Sequence, residues 1–237
     1  MNFTREREMT QPVRRWLQRE GLSVKPEFGL PWGICDLVGL SFNEVHVAKR
    51  LSYRQNRPIG PLQRIDLLSR IPDRESGSEI TFGKLQEWAE TASFGSSLER
   101  ELCALITNKF VVVKKNGCLE KVNGWAPMHQ RIVAVEMKLC RISDALSQAQ
   151  SNRSFAPESY VALPAGIARR FVLTQRLTEF TESGVGILAV TRTTCSVVLP
   201  ATQRVQPDEV LQTHCVERFW RTRGNSSLIV GPRARVS

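Results

Sequence analysis

Histidine is scarce in this sequence: there are three, His46, His129 and His214, and they are widely scattered. Its six cysteines, at positions 35, 103, 118, 140, 195 and 215, include no Cys-x-x-Cys and keep no regular spacing. A structural zinc site needs four clustered ligands, so this inventory argues against one and for buried free thiols in a reducing compartment. No apolar run approaches the length of a membrane span, so no membrane association is expected. The opening Met-Asn-Phe-Thr-Arg-Glu-Arg-Glu is charged from the start, with no apolar signal-peptide core behind it, and the expected location is cytoplasmic. A Gly-rich phosphate loop of the Walker kind is lacking, which speaks against nucleotide hydrolysis. So is a Gly-x-Ser-x-Gly elbow, which speaks against an acyl hydrolase. Gly184-Val-Gly-Ile precedes a strand instead of joining strand to helix, so it is no dinucleotide fingerprint. Internal repeats and low-complexity tracts are absent as well.

What is present is a chain of 237 residues, 41% hydrophobic and 24% charged, long enough for one large domain or two smaller ones. Lys and Arg number 33 against 23 acids, a net charge of +10. Such an excess favours polyanionic partners, nucleic acid first, through phosphate contacts and counterion release. The plainer alternative is a charge that only aids solubility.

Apolar spacing predicts an amphipathic helix over 5–20, with Met9, Val13, Trp16 and Leu17 on one face and Pro12 interrupting it. Two short strands around a Pro/Gly turn follow, the second being Ile34–Val38. The texture then changes between about 54 and 125. Leu62, Ile65 and Leu68 recur at helical spacing; Thr81 can cap a helix bearing Phe82, Leu85 and Trp88. Ser96 with Glu99 makes a capping box for a third, bearing Leu98, Leu102 and Leu105. Phe110 to Lys115, Asn116-Gly117 and Cys118 to Val122 read as a hairpin. Three helices and a hairpin is the order of a winged helix-turn-helix. On that reading the third helix would enter the major groove, with Arg100 and Lys109 available, and Lys114, Lys115 and Lys121 on the wing would meet phosphates. The alternative is a small helical insertion that only packs against the main domain or contacts proteins.

From 131 onward the pattern is strand Ile132–Leu139, helix Ile142–Arg153, strand Ser159–Leu163, a helix over about 167–182 stopped by Gly184, and strand Val185–Val190. Thr194–Leu199 adds a further strand, and a helix near 208–222 precedes a basic, Gly/Ser-containing tail expected to fray. Alternation of strand and helix with short connections implies an α/β domain with some parallel pairing.

Within this pattern Glu136 and Lys138 fall on one face of an otherwise apolar strand, about 7 Å apart. Burying both is costly unless they are paired or metal-bound, and a simple buried salt bridge would also meet that cost. Asp36, in the apolar Ile-Cys-Asp-Leu-Val, has no partner nearby in sequence. Were the two strands neighbours, Asp36 and Glu136 would converge and repel unless a cation or proton intervened. Hard oxygen ligands suit Mg²⁺, and Lys138 beside it could orient the attacking water in phosphodiester hydrolysis.

Val133-Ala-Val-Glu-Met-Lys-Leu, then Ala145-Leu-Ser-Gln-Ala, then Tyr160-Val-Ala-Leu-Pro, together with the upstream Gly33-Ile-Cys-Asp-Leu-Val-Gly, resemble the PD-(D/E)XK, or restriction-endonuclease-like, superfamily. The resemblance covers about 4–40 and 130–200. It implies a mixed central sheet flanked by helices, with Asp36 and Glu136 as metal ligands for Mg²⁺ or Mn²⁺ and Lys138 as the catalytic lysine. Gln148 would be the helix glutamine near the site, and an acid of the first helix, Glu6 or Glu8, would join them, with Glu6 the choice carried forward. Glu27 is a further polar candidate at the mouth, or a solvated turn carboxylate. Asp36 and Glu136 stand about 100 residues apart where the family joins these strands by a short hairpin, so 54–125 becomes an inserted winged-helix-like domain and 1–53 with 126–237 the nuclease-like one. The activity implied is metal-dependent DNA endonuclease, with double-stranded DNA as partner and a homodimer or larger nuclease complex as assembly. The alternative is a catalytically silent nuclease-fold protein that binds DNA or assembles a complex.

Overall fold

A computed structural model describes residues 3–74, 76–91, 94, 97–122, 128–203 and 206–220; Ser96 of the expected capping box and the basic tail beyond 220 lie outside the described residues. A 3-10 turn, Glu6–Met9, leads into α1 (Thr10–Arg19), β1 (Ser23–Leu30), β2 (Gly33–Phe42), α2 (Glu44–Ser52) and α3 (Leu62–Arg70). β3 (Ile80–Thr81), α4 (Phe82–Thr91), α5 (Leu98–Thr107), β4 (Val111–Val113) and β5 (Cys118–Lys121) come next. The chain continues through β6 (His129–Met137), α6 (Ile142–Asn152), β7 (Glu158–Pro164), α7 (Ala165–Phe171), α8 (Leu177–Ser183), β8 (Gly186–Val190), β9 (Cys195–Leu199) and α9 (Glu209–Phe219). The chain divides into two compact units, Met1–Phe42 with His129–Gln212, and Asn43–Met128 with Thr213–Ser237. No helix among the described residues is long and apolar enough to cross a membrane.

The first unit is mixed α/β. Its six-stranded sheet runs in the order β1-β2-β6-β7-β8-β9, parallel from β6 to β8 and antiparallel outside. Val13, Trp16 and Leu17 of α1 pack with Leu37, Val133, Val135 and Met137. Ala145, Leu146 and Ala149 of α6 pack with Val161 and Leu163, which alternate with Tyr160 and Ala162 of the other cluster and so lie on the opposite face. Coverage of both faces explains why β6, β7 and β8 read as nearly unbroken apolar runs. A Cβ on Gly39 would stand 2.9 Å from Leu22 Cδ1 and 3.1 Å from Leu17 Cδ2, so glycine here lets α1 and its following turn lie close on β2.

Three expected elements take a different course. The helix expected over 5–20 begins as the 3-10 turn and becomes α-helical at Thr10, with Pro12 buried in the first turn, where its missing N–H breaks no helical bond. The helix expected over 167–182 is two, α7 and α8. Thr174 Oγ1 donates to the carbonyl of Phe171 at 2.7 Å, and the Phe171 and Phe180 rings meet edge to face at 5.3 Å across the break. The strand expected to reach Leu139 ends at Met137, although the Lys138 N–H still donates to Ala162 O at 3.1 Å. Of the six cysteines, all free, Cys103 and Cys140 are exposed and the other four buried.

In the second unit β3, β5 and β4 form a three-stranded antiparallel sheet in that order. Its core includes Ile65, Leu68, Leu85, Leu98, Leu102 and Leu105, most of the apolar positions the helical spacing marked. Gly117, at φ +79°, supplies the left-handed residue of the β4–β5 turn. The guanidinium of Arg50 is buried against Glu217, whose Oε2 also accepts the Ile59 N–H at 2.7 Å, and lies over the rings of Phe110 and Trp220.

Candidate active site

β2 and β6 pair antiparallel with Leu37 opposite Val135, so one step along the register sets Asp36 against Glu136. Opposed residues of an antiparallel pair project to the same face. The two acids the sequence separates by the whole second unit therefore come together at one end of the first unit's sheet. Asp36 Oδ2 accepts the Met137 N–H at 2.7 Å, which fixes the carboxylate over the end of β6. Burial raises the pKa of Asp36, while the Met137 N–H and the Lys138 charge pull it back. Glu136 is buried deeper, 2% exposed, and accepts from Asn152 Nδ2 at 2.6 Å. Its pKa is pushed up to about 7, first by burial and then by the charge of Asp36, against the opposing Asn152 hydrogen bond. Two carboxylates so placed repel, and a shared proton or a cation would relieve that repulsion.

Lys138 Nζ lies 3.6 Å from Glu6 Oε2. Both charges act on Asp36, so Glu6 belongs to the same group of side chains. Glu8 turns elsewhere: it accepts from Thr4 Oγ1 at 2.8 Å and from Thr4 N–H at 3.2 Å, and lies 3.7 Å from Arg192. Gln148 is exposed on α6 and lines, with Glu136, a cavity of about 230 Å³. Glu27 falls between the Pro26–Leu37 and Phe28–Cys35 pairs of the β1–β2 ladder, across from Asp36, exposed and at φ +47°. Asn152 was not legible as a site residue. Its signal was helical spacing, since it sits one turn beyond Gln148 and lines the same cavity. Trp32 and Ile34, on that cavity's other wall, carried no signal beyond being apolar, Trp32 in a turn and Ile34 at the start of an expected strand.

The cations expected to meet nucleic acid all lie in the second unit. Lys115 and Lys109 are exposed. Arg100 is exposed and pairs with Glu101 at 2.9 Å. Lys114 is drawn to Glu120 at 2.8 Å and to Glu79 at 3.7 Å. Lys121 is buried, with its ammonium 3.4 Å from Asp73.

Among the described residues no group of three His, Cys, Asp or Glu side chains is gathered to hold a metal ion. The residues present still suit a hard divalent cation, because Mg²⁺ keeps most of its water and takes only one or two carboxylates plus substrate phosphate. Asp36 and Glu136 supply those two carboxylates, and their mutual repulsion is what such an ion would relieve.

No family model and no curated protein matches this chain. It is similar to a solved structure of a protein of unknown function from Silicibacter pomeroyi, at 11% identity and a TM-score of 0.41, over 92% of this chain and 91% of that one.

Proposed function

We propose that this protein is a Mg²⁺-dependent DNA endonuclease of the PD-(D/E)XK type, with the second unit as a winged-helix-like DNA-binding module. The observation that carries the reading is the meeting of Asp36, Glu136 and Lys138 at one end of the sheet, with α1 packed on one face and α6 on the other. Asp36 and Glu136 would hold the ion, which supplies Lewis acidity to a phosphate oxygen and acidity to its bound water. Lys138 would face the charge that develops on the phosphate, restrained by Glu6. Asn152 keeps one oxygen of Glu136 fixed and so leaves the other for the ion. In favour of the module, α3, α4 and α5 precede the β4–β5 hairpin, whose turn carries the exposed Lys115.

A second reading is a nuclease-like scaffold that binds DNA without cutting it. Supercoiled plasmid, linear duplex and single-stranded DNA incubated with Mg²⁺, Mn²⁺ or EDTA separate the two. Metal-dependent nicking by wild type, abolished in Lys138→Ala and Asp36→Asn at unchanged melting temperature, is the expected result. A folded wild type that binds DNA and leaves it intact under every metal condition overturns the nuclease reading.

A further inference from the structure

The cavity beside Glu136 has two unlike walls. The β1–β2 hairpin contributes Leu30, Trp32 and Ile34, and the outward side of α6 contributes Ser147, Gln148 and Ser151. Trp32 is 44% exposed and Ile34 64% exposed, two large apolar side chains at the tip of a hairpin. Folding gives no reason to present such a pair to water, and exposed apolar surface beside polar groups marks a place where something binds. The Trp32 ring centroid stands 6.4 Å from that of the buried Phe155. Ser147 and Ser151 are one helical turn apart, with Gln148 beside them, so a side-chain amide and two hydroxyl oxygens line the wall across from Trp32, the Ser151 hydroxyl donating to Ser147 O at 3.1 Å.

This combination selects a flat heteroaromatic group with polar edges. An aliphatic ligand would offer neither a π-face to Trp32 nor polar edges to Gln148 and the α6 hydroxyls. The volume, about 230 Å³, lies below the range of about 300–1,000 Å³ usual for drug-sized ligands, which suits one ring system. We infer that the cavity receives one unpaired nucleobase, stacked on Trp32 and held at its edge by Gln148 with Ser147 and Ser151, so that the substrate is single-stranded or locally unpaired DNA. A base inside an intact duplex is stacked on both faces and cannot enter without being extruded, at the cost of its pairing and stacking. Stacking on an aromatic side chain tolerates every base, so the pocket selects strand state and not sequence. The inference rests on the nuclease reading for its nucleic-acid substrate.

The test is a binding measurement that needs no cleavage. The Lys138→Ala protein is titrated with a short oligonucleotide carrying one 2-aminopurine, as a single strand and annealed to its complement, with EDTA present. The expected result is quenching of the 2-aminopurine in the single strand and binding about 10- to 100-fold tighter than to the duplex. Trp32→Ala in the same background should lose the quenching and that preference, Trp32→Phe should restore most of both, and Gln148→Ala should weaken single-strand binding. Melting curves of these variants should match the parent, since Trp32 sits at an exposed turn. Equal affinity for both forms, or quenching that survives Trp32→Ala, overturns the inference. A wild type that cuts no DNA while Trp32-dependent quenching persists sinks the nuclease reading and keeps the pocket. Cutting without that quenching does the reverse.

Discussion

Asn152 shows how one side chain makes an unfavourable site tenable. Glu136 lies on a strand covered on both faces, where an ionised carboxyl is costly, and the Asn152 amide is the donor that meets it at 2.6 Å. Replacing Asn152 with Ala leaves that oxygen with no side-chain donor from α6. We expect cleavage in Mg²⁺ to fall about 10- to 100-fold, with a weaker apparent metal affinity, because a partner that only orients a ligand has effects of that size. Metal titration of the cleavage rate checks this, and an unchanged curve would show that Asn152 merely fills space. The acids and lysine of this site were readable because charges on apolar strands are expensive and therefore conspicuous. Asn152 and Trp32 were not, because an amide on a helix and an aromatic in a turn cost nothing until the tertiary fold places them.

Among the elements, α3 and α5 are tied by Glu101, which accepts from Arg64 Nε at 2.7 Å and Arg100 Nε at 3.0 Å. Burial acts to raise its pKa, but the two guanidinium hydrogen bonds outweigh it and the net shift is downward. A carboxylate lowered in the folded state stabilises above its unfolded value and loses that contribution as pH falls through the folded one. The second unit should therefore lose stability on acidification below about pH 4.5, and Glu101→Gln should flatten that part of the curve; thermal melts against pH in both proteins decide it. The β4–β5 hairpin yields a sharper contrast. Lys115→Ala should weaken DNA binding and lower the salt dependence by about one counterion. Lys121→Ala should instead lower the melting temperature, since its ammonium is buried beside Asp73. The sequence could not separate these two lysines, because both fall in a hairpin and only the packing of β5 between β3 and β4 buries one of them. The α7–α8 break was hidden for a similar reason: no Pro or Gly marks it, and Thr174 with the Phe171–Phe180 contact makes it.

At the scale of the whole molecule, the chain leaves the first unit after Phe42, re-enters at His129 and passes to the second again after Gln212. The second unit is thus completed by residues at the far end of the chain. Glu217 meets the buried Arg50 and the Ile59 N–H, and Trp220 Nε1 donates to Asn56 O at 3.2 Å. Glu217→Ala strands a buried guanidinium and should cost about 3–5 kcal/mol, the range for removing one partner of a buried pair. Chemical denaturation measures it, and a loss below about 1 kcal/mol would mean that the carbonyls of Gln55 and Arg57, which accept from the same guanidinium at 3.1 and 2.8 Å, satisfy Arg50 alone. The register of the first sheet has one more consequence. Phe42 and His129, the last residue out and the first back, are paired across β2 and β6, so the excursion begins and ends about 5 Å apart. Such a junction makes the segment between them a cassette: a tight turn could replace Asn43–Met128, and a chain so shortened, stopping at Gln212, would present its two acids on an uninterrupted hairpin. Gain or exchange of the second unit would then need two joins, one between Phe42 and His129 and one after Gln212, and would leave the hairpin that holds Asp36 and Glu136 untouched.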